Sequence, residues 1–374
     1  MALRPCKVLI VGGGIAGLAL ALMLERNAID YVLLEAHPNI VTEVGAGICM
    51  MPNGLRTLDQ LGCYEDLLSH TRNPVTSISW RDLEGEPLGS LHGSVLNERY
   101  GYHALWMDRK ALLEVLYSRI SDKSKLLTQK RIATVEHTET CVQVTAIDGS
   151  VYRGDILVGA DGMHSRIRQE MTRLAKGLGL QDDYDDETPA TYSCIFGVSA
   201  GVPGIPLGCL DFVVNEQSSY IVGSGPDNRM YWFLVSNMGK TFYGADIPRF
   251  DNKELDALAQ KHWNDHIRPD VRFADLYENR ISTIYTPMRE CVDKKWHLNR
   301  VMLIGDAVHK PHGGSIATVL FGCTINDGTS QHFSEGSGSP RPEIVPNDGD
   351  GPPSTEDGRY GDPGTKRHDF EQVP

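Results

Sequence analysis

The chain has 374 residues, enough for two or three packed domains at roughly 100–200 residues each. It carries 36 Lys and Arg against 49 Asp and Glu, a net charge of −13. This balance argues against a nucleic-acid partner, because phosphate backbones are held by clustered Lys and Arg. No apolar run reaches the roughly 18 residues that a membrane-spanning helix needs. The eight cysteines form no Cys-x-x-Cys pair, which predicts reduced thiols, no metal site and a cytoplasmic location.

In chain order, short apolar runs alternate with helical segments. Four runs have the character of buried parallel strands, namely 7–11, 31–34, 156–158 and 301–304. Two segments predict helices, 15–26 and 108–117, the second with Asp108 as its cap. Between about 188 and 285, Tyr, Val and Phe alternate with Gly and Pro, which is typical of an antiparallel sheet. The pattern therefore predicts a nucleotide-type α/β domain interrupted by a β-rich insertion.

The first motif is a G-x-G-x-x-G that links the first predicted strand to the first helix. Gly12 allows the tight turn, Gly14 lets the backbone approach a pyrophosphate, and Gly17 lets helix and strand pack closely. Glu35 ends the second strand, where a carboxylate accepts hydrogen bonds from ribose hydroxyls. The motif predicts an adenine dinucleotide site and leaves NAD and FAD open; the alternative is an accidental glycine turn.

Two later segments each place an aspartate directly after a buried strand. Asp161 lies in Gly159-Ala160-Asp161-Gly162, and Asp306 follows Gly305. Ligands of open α/β sheets bind at the carboxyl ends of the strands, so both aspartates are candidates for one crevice. The alternative for each is a structural cap on the helix that follows.

With these three motifs in this order, the chain resembles the group A FAD-dependent monooxygenases, of the para-hydroxybenzoate hydroxylase type. Within that group it is most similar to fungal indole-diterpene and meroterpenoid epoxidases. Further segments carry the resemblance: Gly45-Ala46-Gly47-Ile48, Pro52-Asn53-Gly54-Leu55-Arg56, Trp106-Met107-Asp108-Arg109 and Tyr231-Trp232-Phe233. The resemblance implies a Rossmann-like FAD-binding domain of α/β class with an inserted β-rich substrate domain.

The resemblance also implies the cofactors and assigns roles to individual positions. FAD is the implied cofactor and NADPH the implied transient reductant; the presence of only one G-x-G-x-x-G, with no second Rossmann domain for NADPH, fits this. The implied contacts are ribose for Glu35, the side of the flavin for Gly47 and Cys49, the pyrophosphate region for Arg109, FAD and NADPH for Asp161, and the ribitol for Asp306.

The predicted domains follow the same comparison. The FAD-binding domain combines 1–75, 101–184 and 286–325, the substrate domain combines 76–100 and 185–285, and 326–374 is a disordered tail rich in Gly, Ser and Pro. After His309 the expected Asn-x-Ala helix is missing, so the C-terminus is predicted to be atypical and truncated. The explanations are a change of reading frame or splicing, or a lineage with a replaced tail. Family members often carry C-terminal segments that associate with membranes, and none is visible here.

The implied activity is epoxidation or hydroxylation of a terpenoid or prenylated aromatic small molecule, using NADPH and dioxygen. Tyr220 and Tyr231 are candidates for orienting substrate or donating a proton; the alternative for each is a core tyrosine of the sheet. Two other classes stay open, a truncated flavin-fold protein without activity and an NAD-dependent dehydrogenase. His262 and His266 have the spacing of a zinc helix but lack its glutamate, which favours a solvated helix face.

Overall fold

A computed structural model describes residues 7–42, 47–71, 73–180, 184 and 188–310. The predicted tail at 326–374, Gly45 and Ala46, and the segment after Lys310 lie outside the described residues.

The strands are numbered in chain order. The first eleven are β1 (Lys7–Val11), β2 (Asp30–Leu34), β3 (Gly47–Met50), β4 (Ser77–Arg81), β5 (Pro87–His92), β6 (Leu105–Asp108), β7 (Leu126–Leu127), β8 (Ile132–His137), β9 (Val142–Ala146), β10 (Val151–Gly154) and β11 (Ile156–Gly159). The others are β12 (Ala190–Ser199), β13 (Cys209–Val213), β14 (Ser218–Ser224), β15 (Met230–Phe242), β16 (His266–Arg268), β17 (Val271–Arg272), β18 (Arg280–Arg289), β19 (Cys291–Val292), β20 (His297–Leu298), β21 (Val301–Leu303) and β22 (His309–Lys310).

The α-helices are α1 (Ile15–Arg26), α2 (Pro52–Gln60), α3 (Tyr64–His70), α4 (Ser94–Tyr100), α5 (Arg109–Arg119), α6 (Arg166–Gly177), α7 (Asn252–Lys261) and α8 (Phe273–Glu278). None of these helices, within the part of the chain that the structure describes, is long and apolar enough to span a membrane.

A six-stranded sheet in the order β20-β21-β11-β1-β2-β7 carries the N-terminal motif. β1 pairs in parallel with both β2 and β11, and β11 pairs in parallel with β21. Side chains of β1 alternate between two apolar layers: Ile10 packs with α1 and α5, and Leu9 packs with α6, β8 and β9. Burial on both faces explains why these strands read as nearly continuous apolar runs.

A second sheet of seven strands, β18-β12-β15-β14-β13-β4-β5, is built mainly from the β-rich region. One face, with Trp232 at its centre, is covered by α7 and α8. The other face, with Phe233, packs against Cys49 of β3 and Trp106 of β6. We call the face covered by α7 and α8 the helix face. We call the other the crevice face, because β6 leads directly into Arg109, the predicted contact of the pyrophosphate.

The predicted α/β fold with an inserted β-rich sheet is confirmed, and α1 has the predicted bounds 15–26. The pairs among β12, β13, β14, β15 and β18 are antiparallel as predicted, whereas β13 pairs in parallel with β4. The prediction of a solvated helix face for His262 and His266 is wrong. Helix α7 ends at Lys261, His262 is a buried residue at its C-terminus, and His266 begins β16. The i,i+4 spacing was counted across a helix end that the sequence does not mark. The domain boundaries stay a prediction.

Candidate functional site

The glycine turn is shaped by contacts that leave no room for side chains at two of its three glycines. Gly12 has φ +108°, in the region that favours glycine, and a β-carbon built on it would overlap the carbonyl of Ala160. A β-carbon built on Gly17 would lie 1.9 Å from the carbonyl oxygen of Gly12. Helix α1 therefore sits directly on the turn, as the motif predicts.

Gly14 differs because protein packing does not require glycine there. A β-carbon built on it would have Nη2 of Arg109, at 4.0 Å, as its nearest neighbour. Gly14 is the N-cap of α1, whose first turn receives no side-chain cap and contains no acidic residue. The space beside Gly14 thus lies between a helix N-terminus and a guanidinium group, both of which attract anions.

Glu35 is fixed beside this turn by backbone donors. Its Oε2 accepts a hydrogen bond from the N–H of Gly13 at 2.6 Å, and its Oε1 accepts from the N–H of His37 at 2.8 Å. A carboxylate has about four acceptor positions, so the side chain keeps capacity for further donors such as hydroxyls. The carboxylate lies where the motif predicts a ribose contact.

Both aspartate loops lie at the same sheet edge as the glycine turn. The N–H of Ala160 donates to the carbonyl of Val11 at 2.7 Å, and that of Ile304 donates to the carbonyl of Gly159 at 2.9 Å. Asp306 follows in a short 3₁₀ turn, after Gly305 with φ +60°. The structure therefore brings the three segments together at the carboxyl ends of β1, β11 and β21.

The side chain of Asp161 caps helix α6. Its Oδ1 accepts from the hydroxyl of Ser165 at 2.6 Å, and its Oδ2 accepts from the N–H groups of Arg166 and Ile167 at 2.7 and 3.1 Å. Burial raises the pKa of this carboxyl, while the three donors oppose that rise. The capping alternative thus describes its hydrogen bonds, and its contact with FAD or NADPH stays a prediction.

Gly47 and Cys49 lie on β3, which pairs with β6 so that Gly47 is opposite Asp108 and Cys49 opposite Trp106. Cys49 is buried in the crevice-face core. Arg109 follows β6 as the first residue of α5. This pairing places the predicted flavin-side residues next to the predicted pyrophosphate arginine.

Tyr231 is buried on the crevice face. Its ring stacks on Trp106 with centroids 5.5 Å apart, and β-carbons built on Gly47 and Gly225 would overlap opposite sides of it. Its hydroxyl donates to Oδ1 of Asp108 at 2.9 Å. Burial, and then the Asp108 carboxylate, raise the pKa of this phenol, which therefore keeps its proton.

Asp108 has a role that the sequence does not reveal. Asp108 occupies the N-cap position of α5, as predicted, but its side chain makes no capping hydrogen bond. Its Oδ2 instead contacts Nη1 of Arg229 at 2.7 Å. Arg229 is also missed from sequence, and its only signal is its position two residues before Tyr231, which suits a shared face.

Tyr220 is not brought to the crevice. It lies on the helix face, 2% exposed, and its hydroxyl donates to Oδ2 of Asp265 at 2.7 Å. The same Asp265 oxygen contacts Nδ1 of His262 at 2.8 Å. Tyr220 and Tyr231 therefore belong to opposite faces of the seven-stranded sheet and cannot serve one site, and for Tyr220 the alternative of a core tyrosine describes its position.

The glycine turn, the anion-attracting space at Gly14, the placed carboxylate of Glu35 and the two aspartate loops together fit an adenine dinucleotide. The fold and site thus define a dinucleotide-binding α/β protein with a second, β-rich sheet. Residues 5–315 match the family described as FAD binding domain. The chain belongs to this family, whose cofactor is FAD.

Curated relatives refine the class. The chain is 35% identical over 329 residues to the FAD-dependent monooxygenase olcE of Penicillium canescens, covering 87% of this chain and 70% of the relative. It is 38% identical over 331 residues to the FAD-dependent monooxygenase anuJ of Penicillium roqueforti, covering 84% of this chain and 40% of the relative. The resemblance to fungal FAD-dependent monooxygenases is confirmed, although the chain spans only about two fifths of the length of anuJ and of verC1.

Solved structures share the fold. The 2,6-dihydroxypyridine-3-hydroxylase of Arthrobacter nicotinovorans matches with a TM-score of 0.67 and 22% identity, covering 86% of this chain and 82% of that chain. Klebsiella pneumoniae HpxO complexed with FAD and uric acid matches with a TM-score of 0.64 and 23% identity, covering 81% and 73%.

Proposed function

We propose that the protein is an FAD-dependent monooxygenase that epoxidises or hydroxylates a terpenoid, meroterpenoid or prenylated aromatic intermediate of secondary metabolism. NADPH and dioxygen are the co-substrates, and a cytoplasmic location is part of the proposal. The observation that carries the proposed binding of FAD, and with it the proposed function, is the space beside Gly14, bounded by the N-terminus of α1 and by Arg109. Names of the fungal relatives support the reaction class.

The residues of the crevice have separate tasks in this proposal. The N–H groups at the start of α1 and the guanidinium of Arg109 hold the pyrophosphate, because both offer positive charge to one space. Glu35 accepts hydrogen bonds from the ribose, and the loop of Asp306 contacts the ribitol. When bound and reduced by NADPH, FAD supplies the activation of dioxygen.

The crevice face of the seven-stranded sheet is the proposed substrate side. Phe196 packs edge-on against Phe233, with ring centroids 5.1 Å apart, and neighbours Ile284 of the edge strand β18. Ile284 is 45% exposed on this side of the sheet. An aromatic and aliphatic wall suits a hydrocarbon-rich substrate, because apolar surface gains most from burial.

Tyr231 is the proposed positioning residue between the FAD-binding residues and the proposed substrate side. Its hydroxyl is committed to Asp108, and Asp108 immediately precedes Arg109 in the chain. The tyrosine thus holds the start of α5 against the β-rich sheet and helps to keep water from the crevice. Tyr220 is left out of the proposed site because it lies on the helix face.

The first test is cofactor content, with Gly14→Ala as a matched variant. We expect the purified chain to show the visible spectrum of bound flavin, bleached by NADPH without oxygen. Gly14→Ala should melt like the wild-type apoprotein, because its methyl group meets no close protein atom, yet bind FAD at least about tenfold more weakly. A colourless, folded wild-type protein would contradict the proposal and favour a flavin-fold protein without activity.

The second test concerns the substrate. Incubation with NADPH, dioxygen and a panel of prenylated aromatic and terpenoid compounds should yield a product that gains one oxygen atom, detected by mass spectrometry. Phe196→Ser should weaken apparent substrate binding without changing the flavin content, because the ring lies on the proposed substrate wall. Oxygenation of small polar aromatics alone would contradict the substrate class.

A further inference from the structure

A cavity of about 530 Å³ lies between the six-stranded sheet and the three-stranded sheet β10-β9-β8. Its floor is formed by Leu9 of β1 and Val32 of β2, which are direct neighbours in the six-stranded sheet. Lys7, which also lines the cavity, begins β1, whereas the glycine turn follows Val11, about 13 Å further along the strand. None of the described residues that line the cavity belongs to the crevice.

The cavity opens beside a close contact between β10 and β1. A β-carbon built on Gly154 would lie 2.8 Å from Cγ of Leu9, so the two sheets meet there. Along β10, Tyr152 packs toward the six-stranded sheet, whereas Val151 and Arg153 alternate outward. Val151 is 48% exposed and Arg153 is exposed as well, so these two residues border the mouth. The apolar floor is therefore reached from solvent through a mouth that carries a cation.

The two cations that line the cavity, Lys7 and Arg153, meet no counter-charge there. Of the described residues in the lining, none is acidic. Nε of Arg153 donates to Oε1 of Gln143 at 2.8 Å, which holds one edge of the guanidinium and leaves its other donors without a described partner. The amide of Gln143 in turn donates to Glu136 at 3.1 Å. The ammonium of Lys7 has no hydrogen bond or ion pair within the described ranges of the chain.

Two carboxylates close to Lys7 already have donors of their own. Asp30 is the strand neighbour of Lys7 and pairs with Lys125 at 2.9 Å. Asp155 accepts a hydrogen bond from the backbone N–H of Lys7 at 2.8 Å. Because these carboxylates repel further negative charge, the surroundings disfavour a polyanion. The positive charge of the cavity is local and suits a single anionic group.

We propose that this cavity is a binding site for a small monocarboxylate with a hydrocarbon body. Lys7 and Arg153 hold the carboxylate at the mouth, because a guanidinium fork matches the geometry of a carboxylate. The hydrocarbon covers Leu9 and Val32, since burial of apolar surface favours binding. A volume of about 530 Å³ falls within the range of small-molecule sites. The inference is independent of the proposed function, because the cavity and the crevice share no described residue.

The test titrates sodium octanoate, with 1-octanol as its uncharged analogue, into the full-length protein supplemented with FAD. Saturation-transfer NMR gives the dissociation constants. Val151→Glu places a carboxylate at the mouth, and Ile281→Glu on the edge strand β18 is its matched control, because Ile281 is also exposed, at 61%. We expect Val151→Glu to bind octanoate at least about tenfold more weakly than Ile281→Glu, whose affinity should equal that of the wild type. The wild type should bind 1-octanol at least about tenfold more weakly than octanoate.

A second pair of variants removes one charge each. Arg153→Gln should bind octanoate about tenfold more weakly than Lys253→Gln, which loses an exposed cation on α7. This pair decides the matter if Val151→Glu melts below its control. Equal octanoate affinities within the deciding pair, equal affinities for octanoate and 1-octanol, or no saturable binding at millimolar octanoate would overturn the inference. So would binding that Phe196→Ser weakens and Val151→Glu does not, because the probe would then occupy the crevice face. A chain that binds no FAD but keeps the expected order of octanoate affinities would refute the proposed function and support this inference.

Discussion

Replacing Gly17 by alanine is expected to separate α1 from the glycine turn. The new β-carbon would lie 1.9 Å from the carbonyl oxygen of Gly12, whereas ordinary contact begins at 3.4 Å, so the two backbones must part by about 1.5 Å. Alanine favours the helix by about 1 kcal/mol, but overpacking of this kind costs about 1–3 kcal/mol or more. We expect a net loss of about 2 kcal/mol in the free energy of unfolding and a melting temperature lower by roughly 3 °C.

The matched control is Gly177→Ala in α6, where an added β-carbon meets nothing within 4 Å. This variant should melt at or slightly above the wild-type temperature, because alanine is the better helix former. Differential scanning calorimetry of both apoproteins gives the comparison, and an FAD titration should show at least about tenfold weaker binding for Gly17→Ala alone. Equal melting temperatures for the two variants would refute the reasoning about the contact between α1 and the turn.

Three further predictions concern buried groups outside the crevice. Asp211 is fully buried and bound by two arginines, so Asp211→Asn should lower the free energy of unfolding in urea by about 3–5 kcal/mol. The control Asp148→Asn, at an exposed ion pair, should leave the free energy of unfolding unchanged within error. Equal losses in the two variants would refute the reasoning. Burial raises the pKa of the Cys209 thiol to about 11, so iodoacetamide near neutral pH should modify the half-buried Cys141 before Cys209. Peptide mapping that finds Cys209 modified before Cys141 would count against this reasoning. Burial, aided by a nearby arginine, lowers the pKa of His137, so folding favours the neutral ring. The contribution of this neutral ring to stability is present above pH about 6.5 and is lost as the pH falls below it. His137→Gln should reduce the loss of stability between pH about 7.5 and 5.5, and an unchanged loss would contradict the assignment.

The sequence predicts best the parts of the site that are local. The glycine turn runs through consecutive residues from β1 into α1, so strand pattern, glycine spacing and helix propensity all act on one short segment. Asp161 shows the limit of this approach. A strand followed by an aspartate fits a ligand site and a helix cap equally well, and only the contacts with Ser165, Arg166 and Ile167 show that its carboxylate caps α6.

The faces of the two tyrosines could not be predicted, because they depend on the pairing register of neighbouring strands. In the sheet, Tyr231 is opposite Gly223 and Tyr220 is opposite Leu234. Gly223 and Tyr220 are three residues apart on β14, an odd number, so the two tyrosines point to opposite faces. The register is set by the turn between β14 and β15, whose geometry the sequence pattern does not specify. Contacts such as that of Asp108 with Arg229 depend on the same register and were missed for the same reason.

The setting of the Tyr231 ring has a dynamic consequence. Gly47 and Gly225 lie so close to opposite sides of the ring that β-carbons on them would overlap it, and Asp108 holds its hydroxyl. A half-turn of the ring about its own axis therefore requires β3 and the turn after β14 to move apart. The rate of ring flipping, followed by NMR line shapes of labelled tyrosine, would therefore time the transient opening between these two segments. A ligand that tightens this junction would slow the flip without touching the ring.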